Sequence, residues 1–326
     1  MSQNHPYLGL QLPSNAPFEL KPSHGKGWGA FATRKIERGA KILEEKPLFV
    51  IRKHHDEITE EDVRKTFQQS TPRGKQQFLS LRDNAARPFS SMNYAFAENS
   101  FALSDNPPKH GLFLIHSRFN HSCIPNCNVP STNGEIIASF ATRDIVAGEE
   151  ITFCYNTDFE CRTRGDRHQV LRFTCECKAC LPGTLFQQLS DTRRTLIRGL
   201  QYLTLGRDLD GQRQGSESPI IIDSQLKKAA ENLAIQVSAR LVYNLLVMSL
   251  LDEEELMNDF MIGRMYPGIL ILSTLFKTEG NARLARLAME QKTWLEKLCV
   301  AFRLWGRGDV VDYGIALQLR MIHGPS

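Results

Sequence analysis

The sequence predicts an α+β chain in which a strand-rich portion, reaching to about residue 182, precedes an all-helical one. Three observations carry that expectation. Short runs of β-branched and aromatic residues bounded by Gly-containing turns recur between residues 18 and 50 and again between 136 and 155. Cys175, Cys177 and Cys180 bring three thiols within six residues. Beyond Pro182-Gly183 the apolar residues change to helical spacing.

With 326 residues and 41% hydrophobic composition the chain can bury a sizeable core, arranged as two domains or as one with a large appendage. A formal net charge of +4, with Lys and Arg interleaved among Asp and Glu, gives no reason to expect direct nucleic-acid binding. The first residues lack a charged segment followed by an apolar run, and the apolar stretch Ile269 to Phe276 is too short to span a bilayer. No membrane association is expected, and a cytoplasmic or nuclear location is. In that compartment the eight cysteines read as metal ligands or thiols rather than as disulfides.

Residues 1–17 are polar and Pro-containing and predict an extended arm. Gly25-Lys26-Gly27-Trp28-Gly29-Ala30 fits a dinucleotide-binding fingerprint formally, yet Pro22 precedes it and Ile36-Glu37-Arg38-Gly39-Ala40 interrupts any following helix. A glycine-rich hairpin that lets backbone approach a ligand is expected instead. Residues 52–90 read as a polar helical insert, with a helix start at Thr59-Glu60-Glu61-Asp62 and a break at Pro72. Asn99 to Leu103 is strand-like, and Gly111 to Ile115 is either a buried helix turn or a strand. Ile136 to Ala141 and Glu150 to Tyr155 read as strands joined by the turn at Asp144 to Gly148. In the helical portion, Leu226, Ala229, Ala230, Leu233, Val237, Leu241, Leu245 and Met248 form one stripe, and Leu284, Leu287, Trp294, Leu295, Leu298 and Phe302 another, separated from the preceding helix by a loop at 206–219. Such stripes are core, or a groove for a partner.

The three clustered thiols suit one structural zinc ion, which needs a fourth ligand. Cys123, Cys127, Cys154 and Cys161 are candidates, and spacing does not choose among them. The block Asn120-His121-Ser122-Cys123-Ile124-Pro125-Asn126 gathers polar side chains and a rigid Pro turn in an apolar setting, and Tyr155 ends an apolar strand. Taken singly, a buried His or Tyr is by default a hydrogen-bonded structural residue. Their joint occurrence points to a site.

Gly25 to Gly29, the Asn120 to Asn126 block, Gly148-Glu149-Glu150 through Tyr155 and the Cys175, Cys177, Cys180 cluster resemble, in that order, the SET-domain protein lysine methyltransferases. Most similar are the SET-and-MYND subgroup and its fungal relatives lacking the MYND zinc finger; where that finger would stand, residues 52–90 contain no cysteine. The resemblance implies a β-rich SET domain over 18–158, a zinc-bound post-SET segment over 159–182 and a helical domain over 183–326. It implies S-adenosylmethionine as methyl donor, held by backbone around Lys26, Gly27 and Trp28 and by Asn99, Ser117, Asn120 and His121, with Phe173 against the adenine. It further implies Cys123 as the fourth zinc ligand, Tyr155 as the active-site tyrosine, and Phe153 as the substrate-channel residue influencing how many methyl groups are added, with more than one expected from phenylalanine. The segment bearing Asn120 and His121 would thread past the one bearing Tyr155. The partner implied is a protein presenting a lysine, a histone or another. Two alternatives remain at this point: the same fold acting on a small molecule, and a zinc-stabilised interaction module with little catalysis.

Overall fold

The computed structural model describes residues 5–83, 86–129, 134–208 and 224–278. The second helical stripe, Leu284 to Phe302, and most of the 206–219 loop lie outside them. The architecture is mixed α+β, in two compact units, Met1–Tyr155 and Asn156–Ser326.

The first unit is built on small, mainly antiparallel sheets. Strands β1 (Phe18–Ser23) and β2 (Gly27–Ala32) form a hairpin with Ser23 opposite Gly27. Gly25 and Gly27 close it at φ of 70° and 77°, a region that residues with a Cβ rarely enter. The glycine-rich stretch therefore starts a strand, not a helix. Next come β3 (Lys41–Glu45) and β4 (Phe49–Ile51). The insert follows as α1 (Glu60–Gln69) and α2 (Pro72–Leu79). Thr59 and Asp62 cap α1 reciprocally, and Pro72 occupies the first turn of α2, where a missing N–H costs nothing. A two-residue pair, β5 (Arg82–Asp83) with β6 (Arg87–Pro88), leads to α3 (Met92–Asn99), whose amides Met92 N and Asn93 N donate to the Glu60 carboxylate at 3.3 and 2.7 Å.

Strands β7 (Ser100–Asp105) and β8 (Pro108–Leu112) then form a hairpin that pairs with β4. Short strands β9 (Asn120–His121) and β10 (Cys127–Asn128) precede β11 (Ile137–Ala141) and β12 (Glu150–Phe153). The largest sheet has the order β1-β2-β12-β9, and its β12–β9 pair is parallel, with Thr152 opposite Asn120 and Phe153 opposite His121. One apolar core, including Phe18, Ile42, Val63, Phe96, Phe119 and Ile151, underlies strands and insert alike.

The second unit contains α4 (Arg164–Val170), capped by Thr163 and Asp166, then α5 (Leu185–Leu205), α6 (Ser224–Glu231), α7 (Val237–Glu253) and α8 (Asp259–Thr278). Gly206, in the left-handed region at φ 70°, ends α5. Helices α5 and α7 pack through Ile197, Val247 and Leu251. A buried carboxylate beyond α7, Glu254, accepts from Ser190 Oγ at 2.6 Å, Arg194 Nε at 2.9 Å and Arg193 Nη1 at 3.1 Å. Among the described residues no helix is long and apolar enough to cross a membrane.

Three local expectations are corrected. The arm is not wholly extended: Pro6–Gly9 makes a 3-10 turn that buries Tyr7, because the Tyr7 hydroxyl is tied to both Arg82 N and Arg82 O. The strand expected from Asn99 starts only at Ser100, since Ser91 caps a helix that runs through Asn99. The stripe from Leu226 to Met248 is split between α6 and α7 at Leu233, which sits at φ 54° and is 58% exposed.

Candidate active site

Every strand of the largest sheet except β1 contributes a polar group to one cluster. Asn120, on β9, donates from Nδ2 to Glu150 Oε1 on β12 at 2.7 Å and to Trp28 O on β2 at 3.1 Å. Lys26, in the turn before β2, pairs with the other carboxylate oxygen of Glu150 at 2.9 Å. A Cβ at Gly29 would strike Glu150 Oε1 and Asn120 Nδ2, so the glycine is what lets β2 lie beneath them. The ring of His5 stacks on Trp28 at 4.3 Å.

The parallel register places His121 beside Phe153 and hence next to Tyr155. His121 Nδ1 accepts from the backbone N–H of Tyr155 at 3.1 Å, and Nε2 lies 3.2 Å from Cys123 Sγ. An acceptor role at Nδ1 leaves the proton on Nε2, so the ring donates toward sulfur. Asn126 welds the following turn to β12: its amide donates to Glu149 Oε1 and Glu150 O at 2.9 and 2.8 Å and accepts from Thr152 N at 2.8 Å. Asn126 is thus a fully satisfied buried brace.

Tyr155 is 44% exposed as a residue, yet its hydroxyl turns inward and donates to Phe119 O at 3.1 Å. Burial holds the hydroxyl pKa above the usual tyrosine value, with the Arg118 charge opposing the shift. Phe153 lies 4.9 Å from the Tyr155 ring and stacks on Phe101 at 5.5 Å, so three aromatic rings stand in a row.

A second polar cluster uses Asn99 and Ser117. Asn99, at the end of α3, is 1% exposed; its Nδ2 donates to Ala95 O at 2.8 Å and its Oδ1 accepts from Arg118. Ser117 Oγ donates to Phe113 O and accepts from Arg118 at 3.1 Å. The same guanidinium also donates to the Tyr7 hydroxyl and lies over the Tyr7 ring at 4.4 Å. Nearby, the Glu45 carboxylate gathers the amides of Leu114, Ile115 and His116 at 2.8, 2.9 and 2.8 Å, fixing the turn that presents Ser117.

In the second unit the Sγ atoms of Cys175, Cys177 and Cys180 lie within 4.8 Å of one another, and Cys180 N and Leu181 N both donate to Cys177 O, wrapping a tight turn. Buried Arg167 donates from Nη2 to Cys180 Sγ at 3.3 Å and to Ala179 O at 2.9 Å. Phe173 lies in this unit and is 46% exposed. Two candidates for a fourth ligand sit in protonating surroundings: burial pushes the Cys127 thiol up to about 12, and burial raises Cys161, which donates to Gln201 Oε1 at 3.1 Å. A metal requires the thiolate.

Of the residues expected from sequence, the structure gathers Lys26, Trp28, Asn120, His121, Cys123, Phe153 and Tyr155 along β2, β9 and β12, and gathers Asn99 with Ser117 around Arg118. Sequence reasoning missed Glu150, Arg118 and Phe101 as contributors. Glu150 lies inside a recognised block and Arg118 two residues before one, but nothing local says what an acidic or basic side chain there pairs with.

Comparison with known proteins gives matches over parts of the chain. The profile of the family described as SET domain matches residues 27–156. The histone-lysine N-methyltransferase set5 of Schizosaccharomyces pombe is 30% identical over 183 residues, 54% of this chain and 54% of that protein. The protein-lysine N-trimethyltransferase SMYD5 of Danio rerio is 40% identical over 80 residues, 22% of this chain and 19% of its own length. The histone-lysine N-methyltransferase SMYD3 of Homo sapiens is 38% identical over 96 residues, 26% of this chain and 22% of its own length. The chain thus spans about half or less of the length of these relatives. Residues 27–156 thus match the SET domain, and over parts of its length the chain is similar to set5 and to the SMYD lysine methyltransferases.

Proposed function

We propose that the chain transfers a methyl group from S-adenosylmethionine to the side-chain amine of a lysine in a protein, a histone or another. The observation that carries this reading is the parallel pairing of β9 with β12, which sets Asn120 opposite Thr152 and His121 opposite Phe153, with Tyr155 N donating to His121 Nδ1, within the residues matched by the SET domain.

Residues of the first unit fit a cofactor with a cationic amino-acid end. The hairpin at Gly25 to Gly27 exposes backbone, and Asn120 has its amide oxygen turned away from Glu150 and Trp28. In the proposal Lys26, Gly27, Trp28, Asn120 and His121 hold the cofactor, Asn99 and Ser117 shape the wall behind it through Arg118, and Phe173 covers the adenine. When bound, S-adenosylmethionine supplies an electrophilic methyl group on sulfonium sulfur. The Phe101, Phe153 and Tyr155 rings exclude water from the incoming amine. Desolvation matters because a lysine with a reference pKa near 10.4 costs roughly 4–5 kcal/mol to neutralise at pH 7. Tyr155, with its hydroxyl pKa raised, is a poor base and acts by orienting.

A structural zinc ion held by Cys123, Cys175, Cys177 and Cys180 completes the proposal. Its support is the trio of close thiols, the guanidinium of Arg167 beside Cys180, and the His121 ring donating toward Cys123. Four thiolates leave no open position, so the metal organises the post-SET segment and does no chemistry. Metal analysis is expected to find about one zinc per chain, and Cys177→Ser should lower both metal content and the unfolding midpoint. Unchanged metal content in that variant contradicts the ligand set.

The test of the activity is calorimetric binding of S-adenosylmethionine followed by labelled-methyl transfer to proteins of a cell lysate, with Tyr155→Phe as control and mass spectrometry of the product. Transfer to lysine, lost in the variant and giving more than one methyl group, is expected. Cofactor binding with no transfer to any protein would contradict the reading.

A further inference from the structure

Asn120 has one amide with two faces, and only one of them can serve a cationic ligand. Its Nδ2 carries two hydrogens, and both have acceptors: Glu150 Oε1 at 2.7 Å and Trp28 O at 3.1 Å. A carbonyl and an ionised carboxylate offer acceptors only. Turning the amide over would set Oδ1 against both oxygens, so the orientation follows from the neighbours and not from the placement of N and O atoms. Among the described residues nothing donates to the outward Oδ1.

Trp28 O belongs to the β2 backbone and is fixed with it. Glu150 is the adjustable part, and Lys26 holds it by pairing with Oε2 at 2.9 Å, which leaves Oε1 to Asn120. The Glu150 side chain is only 17% exposed, so water competes weakly for these bonds. No side chain at Gly29 intrudes, since a Cβ there would meet both Glu150 Oε1 and Asn120 Nδ2.

We propose that Glu150, steadied by Lys26, is a positioning residue that locks the Asn120 amide with Oδ1 presented to the ammonium group of the cofactor's methionine part. This rests on the reading that the site binds S-adenosylmethionine. Glu150 itself touches no ligand; it decides which atom of Asn120 does.

The experiment compares two probes on the full chain by calorimetry: S-adenosylhomocysteine, which has the amino-acid part, and 5′-methylthioadenosine, which lacks it. Glu150→Leu removes the acceptor and should weaken S-adenosylhomocysteine about tenfold, the value of one charge-assisted hydrogen bond, while leaving methylthioadenosine within about twofold. Glu150→Gln keeps the shape and one acceptor and should fall between, which covers the case in which the leucine variant does not fold. An equal loss for both probes means that Glu150 only supports the fold, and no loss for either means that Asn120 needs no lock; each result overturns the proposal. A wild-type chain that binds neither probe overturns the cofactor reading itself, and this inference with it.

Discussion

Two asparagines that the family resemblance implies as cofactor ligands sit in opposite circumstances. Asn120, on a strand at the edge of the largest sheet, uses its nitrogen internally and turns its oxygen outward. Asn99, at the end of α3, is buried with both ends of its amide engaged, the oxygen by Arg118 and the nitrogen by Ala95 O. Residue type in a motif nominates a site, while the remaining valence of each polar atom decides what can bind. On this account Asn120 is a ligand-facing group and Asn99 a brace for a buried guanidinium.

Tyr155 belongs with Asn120 on the ligand-facing side, and the largest effect is expected there. Tyr155→Phe removes one oriented hydroxyl and should lower methyl transfer by about 10²–10³ with little change in stability; a variant that unfolds instead would move Tyr155 to the bracing side. On the bracing side, Asn99→Ala leaves the buried Arg118 short of an acceptor and should cost roughly 2–3 kcal/mol in denaturant unfolding. Asn120→Ala should cost far less stability and instead weaken S-adenosylmethionine about tenfold by calorimetry.

The smallest effect expected is with pH. The folded-state pKa of Tyr155 is raised, so the folded chain holds the proton more firmly than the unfolded one. Its contribution is present in full below the unfolded value, near 10, and is lost only as pH rises beyond that toward the folded value. Ultraviolet titration should therefore reveal no tyrosinate inflection from Tyr155 between about pH 7 and 9.5. An inflection near pH 9 that disappears in Tyr155→Phe would contradict the buried hydroxyl.

Much of the site was legible because its parts are local. Gly25 to Gly29 reads as a hairpin from its glycines, and Glu150 to Tyr155 as a strand from its alternation; the Asn120 to Asn126 block stands out by composition alone. The pairings between blocks were not legible. Nothing near Arg118 in the chain indicates that Tyr7 and Asn99 meet it, and Phe101 joins Phe153 only because the β7–β8 hairpin brings it there. Long-range partners depend on tertiary register, which periodicity does not encode. The helical portion was read less well in detail: one stripe became two helices at Leu233, where a left-handed backbone residue breaks the run. A stripe specifies a face, and a single turn conformation can divide it.

The most direct measurement is calorimetric titration of S-adenosylmethionine into the wild-type chain and into Asn120→Ala, with unfolding followed on the same samples. The account predicts measurable binding to the wild type, about tenfold weaker binding to the variant and closely similar unfolding midpoints. Equal affinity in both proteins would contradict the claim that the outward face of Asn120 is the cofactor's.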